Sequence, residues 1–189
     1  MRIIGGEHRG RKLARWQGEG IRPLRDRVRT GLFDTLGEAV VSAEVLDLFA
    51  GTGAVGLEAL SRGAARATFV DSSPRAVRLI RKNAQRLGYA ARAEVIQDDA
   101  ARAVRALARR GRRFDLVFLG APYDTGLARE TLEVLVQALP LRPGAWVVVE
   151  TFHKEELAQA FPPLSLWDAR LYGETRLTYF RFGTTEEGR

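Results

Sequence analysis

VLDLFAGTGAVGLEALSRG, residues 45–63, decides the fold. An apolar run containing one acid, VLDLF, meets glycines at 51, 53 and 56 and then a segment with helical spacing, AVGLEALSR. That order is strand, tight turn, helix. Glycines at these spacings let a ligand approach the backbone at a helix N-terminus. The G-x-G-x-x-G spacing alone admits three readings: a dinucleotide pyrophosphate cradle, a clasp for another adenosyl ligand, or plain strand-helix packing. No G-K-[ST] follows, so a Walker phosphate loop is excluded.

Moving outward, the strand-helix unit repeats. RATFVD (66–71) and PRAVRLIRKNAQRLG (74–88) form a second strand and helix, with Pro74 at a first-turn position. RAEVIQD (92–98) and AARAVRALARR (100–110) form a third pair, and FDLVFLG (114–120) with a helix over 127–138 a fourth. A fifth strand, AWVVVET, follows the turn RPGA. This alternation predicts a parallel sheet with helices on both faces. The end departs from it. LSLWDARLYGETRLTYFRFG (164–183) holds two strand-like stretches around Gly173-Glu174, which reads as an antiparallel hairpin. On the N-terminal side, Val28, Leu32, Phe33 and Leu36 have helical spacing between Pro23 and Gly37.

Three carboxylates discriminate among ligands. Asp47 lies inside the first strand, four residues before Gly51, where it would repel a pyrophosphate but suit a cation. Asp71 closes the second strand and suits ribose hydroxyls. Asp99 follows the third strand, where an adenine edge would lie. Ligands of open α/β sheets sit beyond the carboxyl ends of the strands, so the three loops should converge. Together they favour S-adenosylmethionine, which has a sulfonium and no phosphate, over NAD.

The chain has 189 residues, 46% hydrophobic and 28% charged, enough for one domain with a real core. It has no cysteine and two histidines, His8 and His153, which argues against thiolate zinc sites, cysteine nucleophiles and histidine-based metal sites. No apolar run approaches membrane-spanning length and no signal peptide opens the chain, so a cytoplasmic protein is expected. The net charge is +7. Residues 1–30 hold nine cations against Glu7, Glu19 and Asp26, and so carry +6 of it. A positive end on a nearly neutral body is a footprint for nucleic acid.

LDLFAGTGAVGLEALSRGA, FVDSSPRAV and a proline-tyrosine after the fourth strand resemble class I S-adenosylmethionine-dependent methyltransferases. MRIIGGEHRGRKL, IRPLRDRVRTGLFDTL and LYGETRLTYFRF resemble, more narrowly, the RsmD-type 16S ribosomal RNA (guanine-N2)-methyltransferases, over Met1 to about Phe182. The resemblance implies a Rossmann-like, seven-stranded, mostly parallel sheet with a C-terminal antiparallel hairpin. It divides the chain into a basic RNA-contacting extension (1–22, a hairpin), a methyltransferase domain (23–183) and a frayed tail (184–189). It implies that Asp47, Phe49, Ala50, Gly51, Thr52 and Gly53 hold the methionine side of the donor, Asp71 the ribose, and Ser72, Asp99 and Ala100 the adenine. Arg2, His8, Arg9, Arg11, Lys12, Arg22 and Arg27 become candidate RNA contacts. The implied partner is ribosomal RNA in a small-subunit assembly intermediate, met by a monomer.

The family loop after the fourth strand reads Asp/Asn-Pro-Pro-Tyr/Phe, where an acid or amide accepts hydrogen bonds from the target amino group and the aromatic stacks on the extruded base. Here it reads Gly120-Ala121-Pro122-Tyr123, without the acceptor. Three readings stay open: the backbone carbonyls of Gly120 and Ala121 suffice, Asp124 supplies the carboxylate from a rearranged loop, or the chain binds RNA with weak, lost or redirected catalysis.

Overall fold

The computed structural model describes residues 1–14, 16, 24–155, 157 and 160–183. Five helices, α1 (Asp26–Leu36), α2 (Ala54–Ser61), α3 (Pro74–Arg86), α4 (Ala100–Arg109) and α5 (Leu127–Ala138), surround one sheet. Its strands are β1 (Glu44–Leu48), β2 (Arg66–Asp71), β3 (Ala93–Gln97), β4 (Phe114–Leu119), β5 (Leu141–Phe152), β6 (Ala160–Phe161), β7 (Leu164–Tyr172) and β8 (Thr175–Phe182). The order across the sheet is β3-β2-β1-β4-β5-β8-β7-β6. β1 to β5 are parallel, and β8 enters antiparallel beside β5. Seven long strands thus make the mostly parallel sheet with a reversed hairpin, and the two-residue β6 trims its edge.

The two faces bury separate cores. α1, α2 and α3 cover one face around Leu32, Leu57, Phe69 and Ile80. α4 and α5 cover the other around Val104, Phe114, Leu132 and Val147. Parallel central strands need apolar residues pointing both ways, which is why VLDLF, FDLVFL and WVVVE read as nearly continuous apolar runs. β5 begins earlier than the turn RPGA suggests. Leu141 already pairs with Phe114, and the turn residues bulge out before Trp146 pairs with Leu116. The closing hairpin turns at Gly173-Glu174, with Tyr172 opposite Thr175 and Gly173 at φ 64°.

The N-terminal segment folds back on itself. Arg2 and Lys12 form an antiparallel bridge, supported by Ile3 N–H donating to the Arg11 carbonyl at 2.9 Å. This arm is tied to α2 by Glu58, whose carboxylate accepts the N–H groups of Ile4 and Gly5 at 2.8 and 2.7 Å. Arg62 donates to the same carboxylate at 2.9 Å. Arg29 of α1 completes the knot, donating to the Arg2 carbonyl and to Asp26. No described helix is long and apolar enough to cross a membrane.

Candidate donor and base site

The chain order reverses between β1 and β4, and a cavity of about 530 Å³ opens there beyond the carboxyl ends of the strands. Four strand ends build its wall. The loop after β1 contributes Phe49, Ala50, Gly51 and Thr52; the loop after β2, Asp71 and Ser72; the loop after β4, Gly120, Ala121, Pro122 and Tyr123. Near the end of β5, Glu150 joins them. Asp47 and Phe118 reach the cavity from within their strands, and Trp16 and Leu24 line it from the N-terminal side.

The glycine loop is shaped by two carboxylates. Asp47 is 2% exposed and accepts the Gly56 N–H at 2.9 Å, so it satisfies a first-turn donor of α2 from inside the sheet. Burial pushes its pKa up to about 8; the Gly56 bond opposes this, while Asp71 and Glu150 add to it. Asp71 accepts from Gly51 N–H and Ser73 N–H, both at 2.8 Å, and so links the first and second loops. Phe49 holds φ 59°, a left-handed conformation for a bulky residue at the lip of the site. The third glycine of the motif has a packing role. A Cβ on Gly56 would stand 2.3 Å from Phe69 Cε1, so α2 can lie this close to β2 only with glycine there.

Beyond the glycine loop, Tyr123 is held through its hydroxyl. It donates to Glu150 Oε1 at 2.6 Å and lies 3.0 Å from Thr175 Oγ1, with its ring 5.9 Å from that of Phe152. These bonds set the ring at the cavity wall. Asp124 is exposed at φ 58° and does not line the cavity in this arrangement of the loop.

The remaining candidates lie further out. Gly53, at φ 74°, starts α2. Asp99 is exposed and caps α4 by accepting Arg102 N–H at 3.0 Å, and Ala100 is buried behind it. None of the three lines the cavity. Arg2, Arg9, Arg11, Lys12 and Arg27 are exposed on the arm and on α1. His8 turns inward, its Nε2 2.9 Å from the Leu87 carbonyl and its ring 5.1 Å from that of Tyr89. Arg22 lies outside the described residues. Glu150, Trp16 and Leu24 were not anticipated. The available signal for Glu150 was the one that marked Asp47: a lone acid in an apolar strand, at the ligand end of the sheet.

A family model described as Conserved hypothetical protein 95 matches residues 1–181. The chain belongs to this family. Ribosomal RNA small subunit methyltransferase D of Escherichia coli (strain K12) is 41% identical over 151 residues, covering 80% of this chain and 74% of that protein. Its counterpart in Haemophilus influenzae is 38% identical over 152 residues, covering 80% and 78%. Among solved structures, the Escherichia coli protein yhhF superposes with a TM-score of 0.84 at 36% identity, over 96% of this chain and 97% of that one. An RNA methyltransferase from Salinibacter ruber, in complex with S-adenosyl-L-homocysteine, shares the fold at TM-score 0.67 and 20% identity, over 89% and 97%. This chain thus has the Rossmann-like methyltransferase architecture that the sequence resemblance implies.

Proposed function

We propose that this chain transfers a methyl group from S-adenosylmethionine to the exocyclic N2 of a guanine in small-subunit ribosomal RNA, leaving S-adenosylhomocysteine. Ribosomal RNA methylation accords with the relatives' names. The sequence resemblance adds the guanine amino group, an assembly intermediate as substrate and a monomeric protein, and a cytoplasmic location goes with them. The observation that carries it is the convergence of Asp47, Asp71 and the glycine loop with the Tyr123 ring on a single cavity at the switch point of the sheet. That donor set suits a cation with a ribose and repels a pyrophosphate.

In this reading Asp71 meets the ribose hydroxyls and Ser72 the adenine, with Asp99 and Ala100 at its outer edge. Phe49 to Gly53 pass along the methionine side, and Asp47 faces the positive charge. The donor supplies an electrophilic methyl group on a sulfonium. The protein's task is to bring the amino nitrogen in line with it, since the nitrogen lone pair is delocalised into the guanine ring. Tyr123, fixed by its hydroxyl bonds, stacks on the extruded base, and the carbonyls of Gly120 and Ala121 accept from the amino group. Exposed, unstacked bases are the ordinary targets of sequence-specific RNA readers, so the guanine belongs to a loop. The cations of the arm hold the surrounding phosphates.

Mass-spectrometric mapping of methylguanines in ribosomal RNA, with and without this protein, tests the reading. One 16S guanine should lose its N2 methyl without the protein. An unchanged map with intact RNA binding would favour an RNA-binding protein that keeps the fold without the catalysis.

A further inference from the structure

The loop Gly120-Ala121-Pro122-Tyr123 has no acidic or amide side chain for a substrate amino group, yet a carboxylate stands beside it. Glu150 lies near the end of β5, the strand adjacent to β4, and lines the same cavity. Its Oε1 accepts from the Tyr123 hydroxyl. Its Oε2 lies 3.2 Å from the point that a Cβ on Gly120 would occupy. A side chain leaving residue 120 would therefore crowd both the Phe118 ring, 3.0 Å away, and the Glu150 carboxylate. The glycine and the glutamate are neighbours: an acid delivered from the next strand reaches the space beside position 120, which it shares with the Phe118 ring.

We propose that Glu150 is the side-chain hydrogen-bond acceptor for the amino group being methylated, supplied from the neighbouring strand to the loop that lacks one and acting beside the Gly120 and Ala121 carbonyls. The inference rests on the methyltransferase reading above and deepens it. A carboxylate offers about four lone-pair positions on its two oxygens, so the same group can hold the Tyr123 ring and receive an amino N–H. Charge-assisted acceptance orients the nitrogen lone pair along the line of transfer. As that lone pair forms the bond to the methyl carbon, the carbon–sulfur electron pair returns to sulfur. The nitrogen then carries an extra proton, which passes to Glu150 and on to solvent. The arrangement couples two tasks on one residue, because the acceptor also sets the ring on which the base stacks.

The test uses the whole protein, undermodified small subunits as acceptor and labelled S-adenosylmethionine in single turnover. Glu150→Ala removes both acceptor oxygens, and transfer should fall by about 10²-fold or more while donor affinity stays within about two-fold; Glu150→Gln, which keeps one amide oxygen, should lose less. Tyr123→Phe separates the two tasks, since it removes only the hydroxyl; its loss should be about five-fold at most. Relocating the acid gives the decisive arm. Gly120→Asp combined with Glu150→Ala should recover about ten-fold over Glu150→Ala alone. Equal melting temperatures and donor affinities for the two Glu150→Ala proteins show that Phe118, 3.0 Å from the new Cβ, has yielded. Glu150→Ala within about three-fold of wild type, Tyr123→Phe as damaging as Glu150→Ala, or no recovery in the correctly folded double variant would each overturn the role of Glu150. A wild-type protein that methylates no base would instead sink the parent reading, and Glu150 with it.

Discussion

Arg29 of α1 and Glu58 of α2 meet with both side chains fully buried, Nε to Oε2 at 3.6 Å. Burial pulls the Arg29 pKa down, and Glu58 and Asp26 pull it back up. The pair carries more than its own attraction, since Glu58 also holds the backbone of Ile4 and Gly5. Removing one member strands the other charge in the core. Glu58→Ala should cost about 3–5 kcal/mol in denaturant unfolding. Hydrogen exchange at Ile4 and Gly5 should rise more than at the strands of the sheet. A cost under about 1 kcal/mol would mean that water replaces the carboxylate.

Asp47 makes stability depend on pH in a definite direction. Its folded pKa of about 8 lies above the ordinary 3.8, so between those values the folded chain holds a proton that the unfolded chain has released. The stabilisation is fully present below 3.8 and is lost as pH rises through about 8. Asp47→Asn keeps an acceptor for Gly56 but does not titrate, so it should gain on the wild type in melting experiments as pH rises across that window. The same proton links to the donor. A sulfonium favours the ionised carboxylate, so S-adenosylmethionine should bind more tightly as pH rises to about 8, with proton release visible in calorimetry in two buffers. S-adenosylhomocysteine, which lacks the positive sulfur, should show a weaker trend, and Asp47→Asn none.

Gly56 separates packing from ligand contact. Gly56→Ala drives a methyl group into Phe69, which is fully buried, and should destabilise by about 1–3 kcal/mol. Donor affinity of the folded fraction should stay within about three-fold. A large loss of affinity at unchanged stability would return the third glycine to the binding loop.

Replacing Arg9, Arg11 and Lys12 together should weaken RNA binding and reduce the slope of log K against log salt by up to about 2–3 units. All three are exposed on the folded-back arm. An unchanged slope would place the RNA elsewhere.

Tyr123→Ala removes the ring as well as the hydroxyl. It should abolish most methyl transfer in the single-turnover assay while donor binding persists. Unchanged transfer would end the stacking role.

Most of the sheet could be read from the chain, because parallel strands buried on both faces give continuous apolar runs and their helices have clear ends. Ser73 with Pro74, and Asp99, are such starts. What stayed hidden depends on neighbours far apart in sequence. Arg29 looks like one more cation of a basic helix, and only the arrival of Glu58 and the arm explains its burial. His8 follows the same rule, since its partner Leu87 lies 79 residues away. Glu150 ends an apolar run that reads as core, and its relation to Gly120 exists only because β4 and β5 are adjacent. Asp47 and Asp71 were legible because their glycine partners are nearby in the chain; Asp99 kept the capping geometry of its helix and stayed outside the cavity.

Glu58 sits four residues after the first position of α2, the helix that begins at the glycine loop. The arm is therefore bolted to the same eight-residue rod whose other end touches the donor cavity. No joint separates them. The spacing between Arg9 or Arg11 on the arm and the glycine loop is therefore set by one short stiff helix, a fixed ruler built into the fold.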